Sequence, residues 1–139
     1  MNLQNNSDIL ELLKVKMNEL CSELGCIKQF VSTNKYSSEI YFMNNHAIQL
    51  EIDWREYELF MYAVFLDNGS IPDKSVIYKY PDGRWCRKFL EEIYKVKRPQ
   101  IANSYTDEYL LECFEFYREL IKNNPKVLND FCCNGEIRI

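Results

Sequence analysis

The chain has 139 residues, 47% hydrophobic and 14% aromatic, with a formal net charge of −4. That length suits one α+β domain spanning residues 1–139 with its own core, and the apolar content excludes a disordered chain. The acidic balance disfavours a nucleic-acid binder held by bulk positive charge, and no apolar run approaches the roughly 20 residues of a membrane span.

The N-terminal MNLQNNSDIL lacks the basic and apolar regions of a signal peptide, so a cytoplasmic location is expected. In that reducing compartment the six cysteines are not expected to form disulfides. Their spacing does not suit zinc either. Four residues separate Cys21 from Cys26, Cys86 and Cys113 stand alone, and Cys132 and Cys133 are adjacent. With no C-x-x-C pair and His46 as the single histidine, the thiols read as small buried hydrophobes. No metal or other cofactor is called for.

Taken in order, residues 1–6 read as a lead-in and Ser7 as the cap of a first helix, with Asp8 and Glu11 suited to its first turn. Ile9, Leu13, Met17, Leu20 and Leu24 form one apolar stripe that Leu10, Leu12 and Cys21 widen, and Gly25 suits its end. A stripe this broad predicts packing against a sheet face. Two short strands follow, Cys26–Ser32 and Glu39–Met43, around the polar turn Thr33–Ser38. Asn44-Asn45 makes a tight turn into the next strand.

The hub of the chain is His46–Gly69. Ile48, Leu50, Ile52 and Trp54 alternate with Gln49, Glu51, Asp53 and Arg55, the period of a half-buried strand with its polar residues outward. After a short charged link, the apolar run Leu59–Leu66 has the length and character of a strand at a sheet's centre. Asp67-Asn68-Gly69 closes it. Val76–Tyr80 reads as a short edge strand, and Pro81-Asp82-Gly83 as a turn whose Asp82 caps a second helix. Trp85, Phe89, Ile93 and Val96 give that helix its apolar face, and Lys97-Arg98-Pro99 ends it. Thr106 caps a third helix from Asp107 to about Asn123, with Leu110, Cys113, Phe114, Tyr117, Leu120 and Ile121 inward. Asn124-Pro125 starts a fourth through Phe131. The expected order is an N-terminal helix, an antiparallel meander of four to five strands, then two to three helices.

Chemistry is sparse. There is no G-x-S-x-G, no phosphate-cradling glycine loop and no H-E-x-x-H, and His46 sits in an Asn-Asn-His turn. A non-enzymatic chain is therefore expected. Glu51, Asp53 and Arg55 share the exposed side of the hub strand, as an acid/base pair, as partner-binding charges or as an ordinary surface ion pair. Glu51, Asp53, Glu56 and Glu58 have the chemistry to gather a divalent cation, although exposed strand carboxylates usually meet only water.

Charge is uneven. Residues 74–98 carry +5 and the rest of the chain −9. Arg84, Arg87 and Lys88 are expected on one helix face, opposite Trp85 and Phe89. With Tyr78 and Tyr80 they suggest a patch for a small anionic ligand or single-stranded nucleic acid, or a solvated helix face. On the third helix, Asp107, Glu108, Glu112, Glu115 and Glu119 make an acidic side that suits a basic partner or simple solubility.

The run I-x-L-E-I-D-W-R-E-Y-E-L-F-M-Y-A-V-F-L-D-N-G-x-I-P, followed by Y-P-D-G-R-W-C-R-K-F-L, resembles a pattern in small uncharacterised bacterial α+β proteins. Some of these are similar to immunity proteins of bacterial toxin systems. The likeness covers about residues 46–90 and carries no catalytic signature. It implies a cytoplasmic binding module whose partner is a protein such as a toxin domain. Glu51, Asp53, Arg55, Arg84, Arg87 and Lys88 are the candidate partner-binding residues from the charge pattern.

Overall fold

A computed structural model describes residues 3–24, 28–43, 47–66 and 78–134. It has an N-terminal helix, a five-stranded antiparallel sheet and C-terminal helices, an α+β fold. The elements are α1 (Leu3–Glu23), β1 (Lys28–Thr33), β2 (Ser37–Met43), β3 (Ala47–Asp53), β4 (Glu58–Val64), β5 (Arg87–Phe89), α2 (Leu90–Tyr94), α3 (Asp107–Asn123) and α4 (Pro125–Asn134). The strands lie in sequence order, each antiparallel to the next, which is the expected meander.

Helix α1 starts at Leu3, so Ser7 is inside it and residues 3–6 are not a lead-in. A serine cap is a preference of about 1 kcal/mol, and without proline or glycine before it nothing stops the helical ladder from extending. Ile9, Leu13, Met17 and Leu20 are buried as the stripe requires, whereas Leu12 is exposed. The proposed end at Gly25 lies outside the described residues. So do Cys26, His46 and the Asn44-Asn45 turn.

The turn between β1 and β2 is built by Asn34. Its Oδ1 accepts from the backbone N–H groups of Tyr36 and Ser37 at 2.8 and 3.0 Å, the side-chain mimicry that makes asparagine a turn residue. At the hairpin between β3 and β4, Asp53 does the same for Arg55 and Glu56. Between these turns, Ile48, Leu50 and Ile52 face Ala63, Met61 and Leu59 in register, all fully buried. Trp54 points to the same side, and its Nε1 donates to buried Ser38 at 2.9 Å. This sheet face joins α1, Leu90 and Ile93 of α2, Leu110, Phe114 and Tyr117 of α3, and Leu128 and Phe131 of α4 in one core.

The alternation misplaces one residue. Gln49, expected outward, has no exposed surface. In the middle of five strands both sheet faces are covered. Ala47, Tyr62, Val64 and Leu66 form a second small cluster on the far side, flanked by Phe60 and Phe89.

Residues 78–98 depart furthest from expectation. Val76 and Ile77 lie outside the described residues, and Tyr78–Tyr80 contributes only a bridge between Lys79 and Trp85. The helix expected from Asp82 is a turn, a strand and one short helix. Asp82 accepts from the backbone and side chain of Arg84, and Gly83 adopts φ of 92°. Residues 87–89 pair with Tyr62–Val64. The open N–H and C=O groups along β4 outweigh a spacing of four that also fits a helix. Only Leu90–Tyr94 is helical, ended by Lys95 in the left-handed region, and Val96 is exposed.

The last helices follow the sequence closely. Thr106 Oγ1 accepts from Tyr109 N at 3.1 Å to cap α3, whose inner face is Tyr109, Leu110, Cys113, Phe114, Tyr117 and Ile121. Pro125 opens α4. Cys21, Cys86, Cys113 and Cys132 are buried, as expected for thiols used as small hydrophobes. Among the described residues no helix is long and apolar enough to cross a membrane.

Strand β5 covers only the last part of β4, and Arg98 occupies the edge it leaves. Its guanidinium pairs with Glu58 at 2.5 Å, donates to the Leu59 carbonyl, and donates to the Tyr117 hydroxyl at 2.8 Å. Tyr109 donates to the other oxygen of Glu58, and Tyr57 to Asp107, so sheet and α3 are tied at one corner. Arg98→Ala leaves the mostly buried Glu58 carboxylate without its cation. In urea unfolding it is expected to lower stability by about 2–3 kcal/mol, with Arg98→Lys recovering only part, because an ammonium lacks the planar fork.

Candidate functional site

The six candidate residues do not form one surface. Asp53 spends its carboxylate on backbone N–H groups of the hairpin, and exposed Arg55 lies over the Tyr36 ring at 5.1 Å. Arg84 pairs with Asp82 at 2.6 Å within its turn and stacks on Phe65 and Tyr80. Lys88 lies over Trp85 at 4.2 Å. Arg87 and Lys88 are consecutive on a strand, so they point to opposite faces and do not share the helical side expected of them. The carboxylates considered for a cation are also dispersed, Glu58 to Arg98 and Asp53 to its turn. Among the described residues no group of His, Cys, Asp and Glu is arranged to hold a metal.

Two of the six share one side of the sheet. Glu51 of β3 and Arg87 of β5 lie on the far sheet face, with Tyr62 of β4 between them in strand order. Burial pushes the Glu51 carboxyl above its ordinary value of 4.5. The Tyr62 hydroxyl, hydrogen-bonded to it, and the Arg87 charge pull it back, while Glu39 directly across on β2 adds to the rise. Burial and the neighbouring Glu51 raise the Tyr62 phenol in turn. Phe89 stacks on Tyr62 with ring centroids 4.6 Å apart, and edge-on against Phe60 at 5.6 Å. Beside this pair sits Gln49, neither of whose buried amide atoms has a hydrogen-bond partner, and the Arg87 Nε has none either. The cluster mixes charged, polar and aromatic side chains, most of them partly exposed.

The open surface is elsewhere. A shallow groove of about 480 Å³ runs between α3 and the segment that follows Arg98. Ile101 and Phe116, both half-buried, give it an apolar floor, and Pro99 and Ala102 form the facing wall. Glu112, Glu115 and Glu119 make its rim. The acidic side of α3 was legible from the sequence, but its apolar counterpart was not. Phe116 falls between the inner residues Cys113 and Tyr117 and the acidic ones, and residues 99–102 form a loop without periodicity. The available signal was Phe116 itself, a ring placed among Glu112, Glu115 and Glu119.

No protein-family model matches this chain, and neither a curated protein nor a solved structure is significantly similar to it. The functional reading therefore rests on the geometry.

Two substitutions test the far-face cluster. Because the folded-state value of Glu51 is raised, the native state holds that proton more tightly. Its contribution is fully present at low pH and is lost as pH rises from about 4.5 through the folded value. Glu51→Gln is thus expected to be more stable than the parent at pH 7, with the advantage shrinking toward pH 4, as followed by thermal melts. Gln49→Leu removes two unsatisfied polar groups at similar volume and is expected to gain about 1–3 kcal/mol in urea unfolding.

Proposed function

We propose that this chain is a non-enzymatic protein-binding module of the bacterial cytoplasm, of the kind that immunity proteins represent, and that it docks a basic partner such as a toxin domain on α3. The observation that carries the reading is the groove, whose lining combines half-buried Ile101 and Phe116 with three glutamates of α3. Acidic side chains around an apolar centre suit recognition by a cationic protein. The charges steer the encounter and exclude wrong partners, while the buried centre supplies lifetime. The −9 balance outside residues 74–98 extends the same field over the surface.

A second reading, an anionic small ligand or single-stranded nucleic acid at residues 74–98, is favoured by Trp85, which has the Lys79 and Lys88 ammoniums 4.7 and 4.2 Å from its ring. It is the weaker of the two. Arg84 is engaged by Asp82, and Arg87 lies on the opposite sheet face from Lys88, so the patch has fewer cations to offer than the sequence counts.

Co-expression with the product of the neighbouring gene tests the first reading. A stable complex is expected, together with protection of the host from that product's toxicity. Glu112→Lys combined with Glu119→Lys, at two exposed positions, is expected to weaken the complex by about tenfold or more in calorimetry, with unchanged thermal stability. A chain that neither co-purifies with the product nor protects against it is not an immunity protein.

A further inference from the structure

The three glutamates of the rim are not equivalent. Glu115 accepts from Arg118 at 2.7 Å and from Lys16 at 3.5 Å, so its charge is largely neutralised within the chain. Exposed Glu112 and Glu119 form no ion pair among the described residues. They are seven residues apart, two turns of one helix, and so lie on the same side about 10.5 Å apart along the axis. Phe116 falls between them, and it and Ile101 both line the groove. The surface is therefore two separate anionic points with an apolar centre, and not a continuous acidic strip.

Resting on the reading of this groove as a protein-binding site, we propose that it receives a helical segment of the partner. That segment presents one large apolar side chain midway between two lysines or arginines seven residues apart. The spacing selects a helix. On a strand, residues sharing a face lie about 6.6 or 13.2 Å apart, and neither matches the separation of Glu112 and Glu119. A second helix laid along α3 brings two cations into phase with both glutamates and drops its middle side chain onto Phe116 and Ile101, the groove-docking mode of amphipathic helices.

Three fluorescein-labelled alanine-based peptides of about 16 residues test this, read by anisotropy at low salt. The first carries two lysines seven positions apart with a phenylalanine midway. The second replaces that phenylalanine by alanine, and the third moves the lysines to five positions apart, on different sides of the helix. The first is expected to bind about tenfold more tightly than either other, given the burial of one aromatic ring. Glu112→Gln with Glu119→Gln is expected to abolish the difference, as is Phe116→Ser, the former pair serving if the latter does not fold. Equal binding of all three peptides overturns the inference while leaving a charge-steered protein-binding surface in place. Failure of all three while the neighbouring gene's product still binds the chain also overturns it. If that product fails to bind as well, the protein-binding reading falls with it.

Discussion

The arrangement depends on how the outer edge of β4 is finished. A strand with only part of a neighbour exposes carbonyls and amides that must be satisfied or left wet. Here β5 completes the later half and the Arg98 guanidinium the earlier half, reaching Glu58, the Leu59 carbonyl and Tyr117 at once. The same residue stands immediately before Pro99, where the groove wall begins. One side chain thus closes the sheet, anchors α3 through Tyr117, and sets the position of the loop that faces Phe116. The groove is an outcome of edge protection as much as a feature of α3.

The two faces of the sheet differ in chemistry. The helix-covered face is mostly apolar, and among the described residues its buried Ser38 is satisfied by Trp54. The far face mixes rings with Gln49, Glu51 and Arg87, and its polar groups are incompletely matched. Unmatched buried polar groups reduce stability, so the stability of the domain rests on the first face. The unmatched groups of the second lie on β3, at the centre of the sheet, and on the edge strand β5.

The fold was legible where local pattern and tertiary demand agree. The alternation of Ile48, Leu50 and Ile52, the cap at Thr106 and the proline opening α4 each serve the local chain and the core together. The pattern misleads where they conflict. Trp85, Phe89 and Ile93 keep a helical spacing, yet residues 87–89 answer the open edge of β4, which cannot be seen from their own segment. Gln49 reads as outward because polarity usually marks the wet face, a rule that holds only when a sheet has one. Of the candidate site, the acidic side of α3 was visible. The placing of Glu51 and Arg87 on one sheet face, and of Phe116 and Ile101 in one groove, joins residues far apart in the chain and is set by topology alone.

The meander also orders the way the molecule comes together. The links between β1 and β2, β2 and β3, and β3 and β4 are only three, three and four residues long, whereas 22 residues separate β4 from β5. Short links make pairing of the first four strands cost little chain entropy, whereas β5 returns to the sheet by closing a much longer loop. Arg98 and the loop that walls the groove lie beyond β5. The groove proposed as a docking face is therefore built from chain that follows the whole sheet.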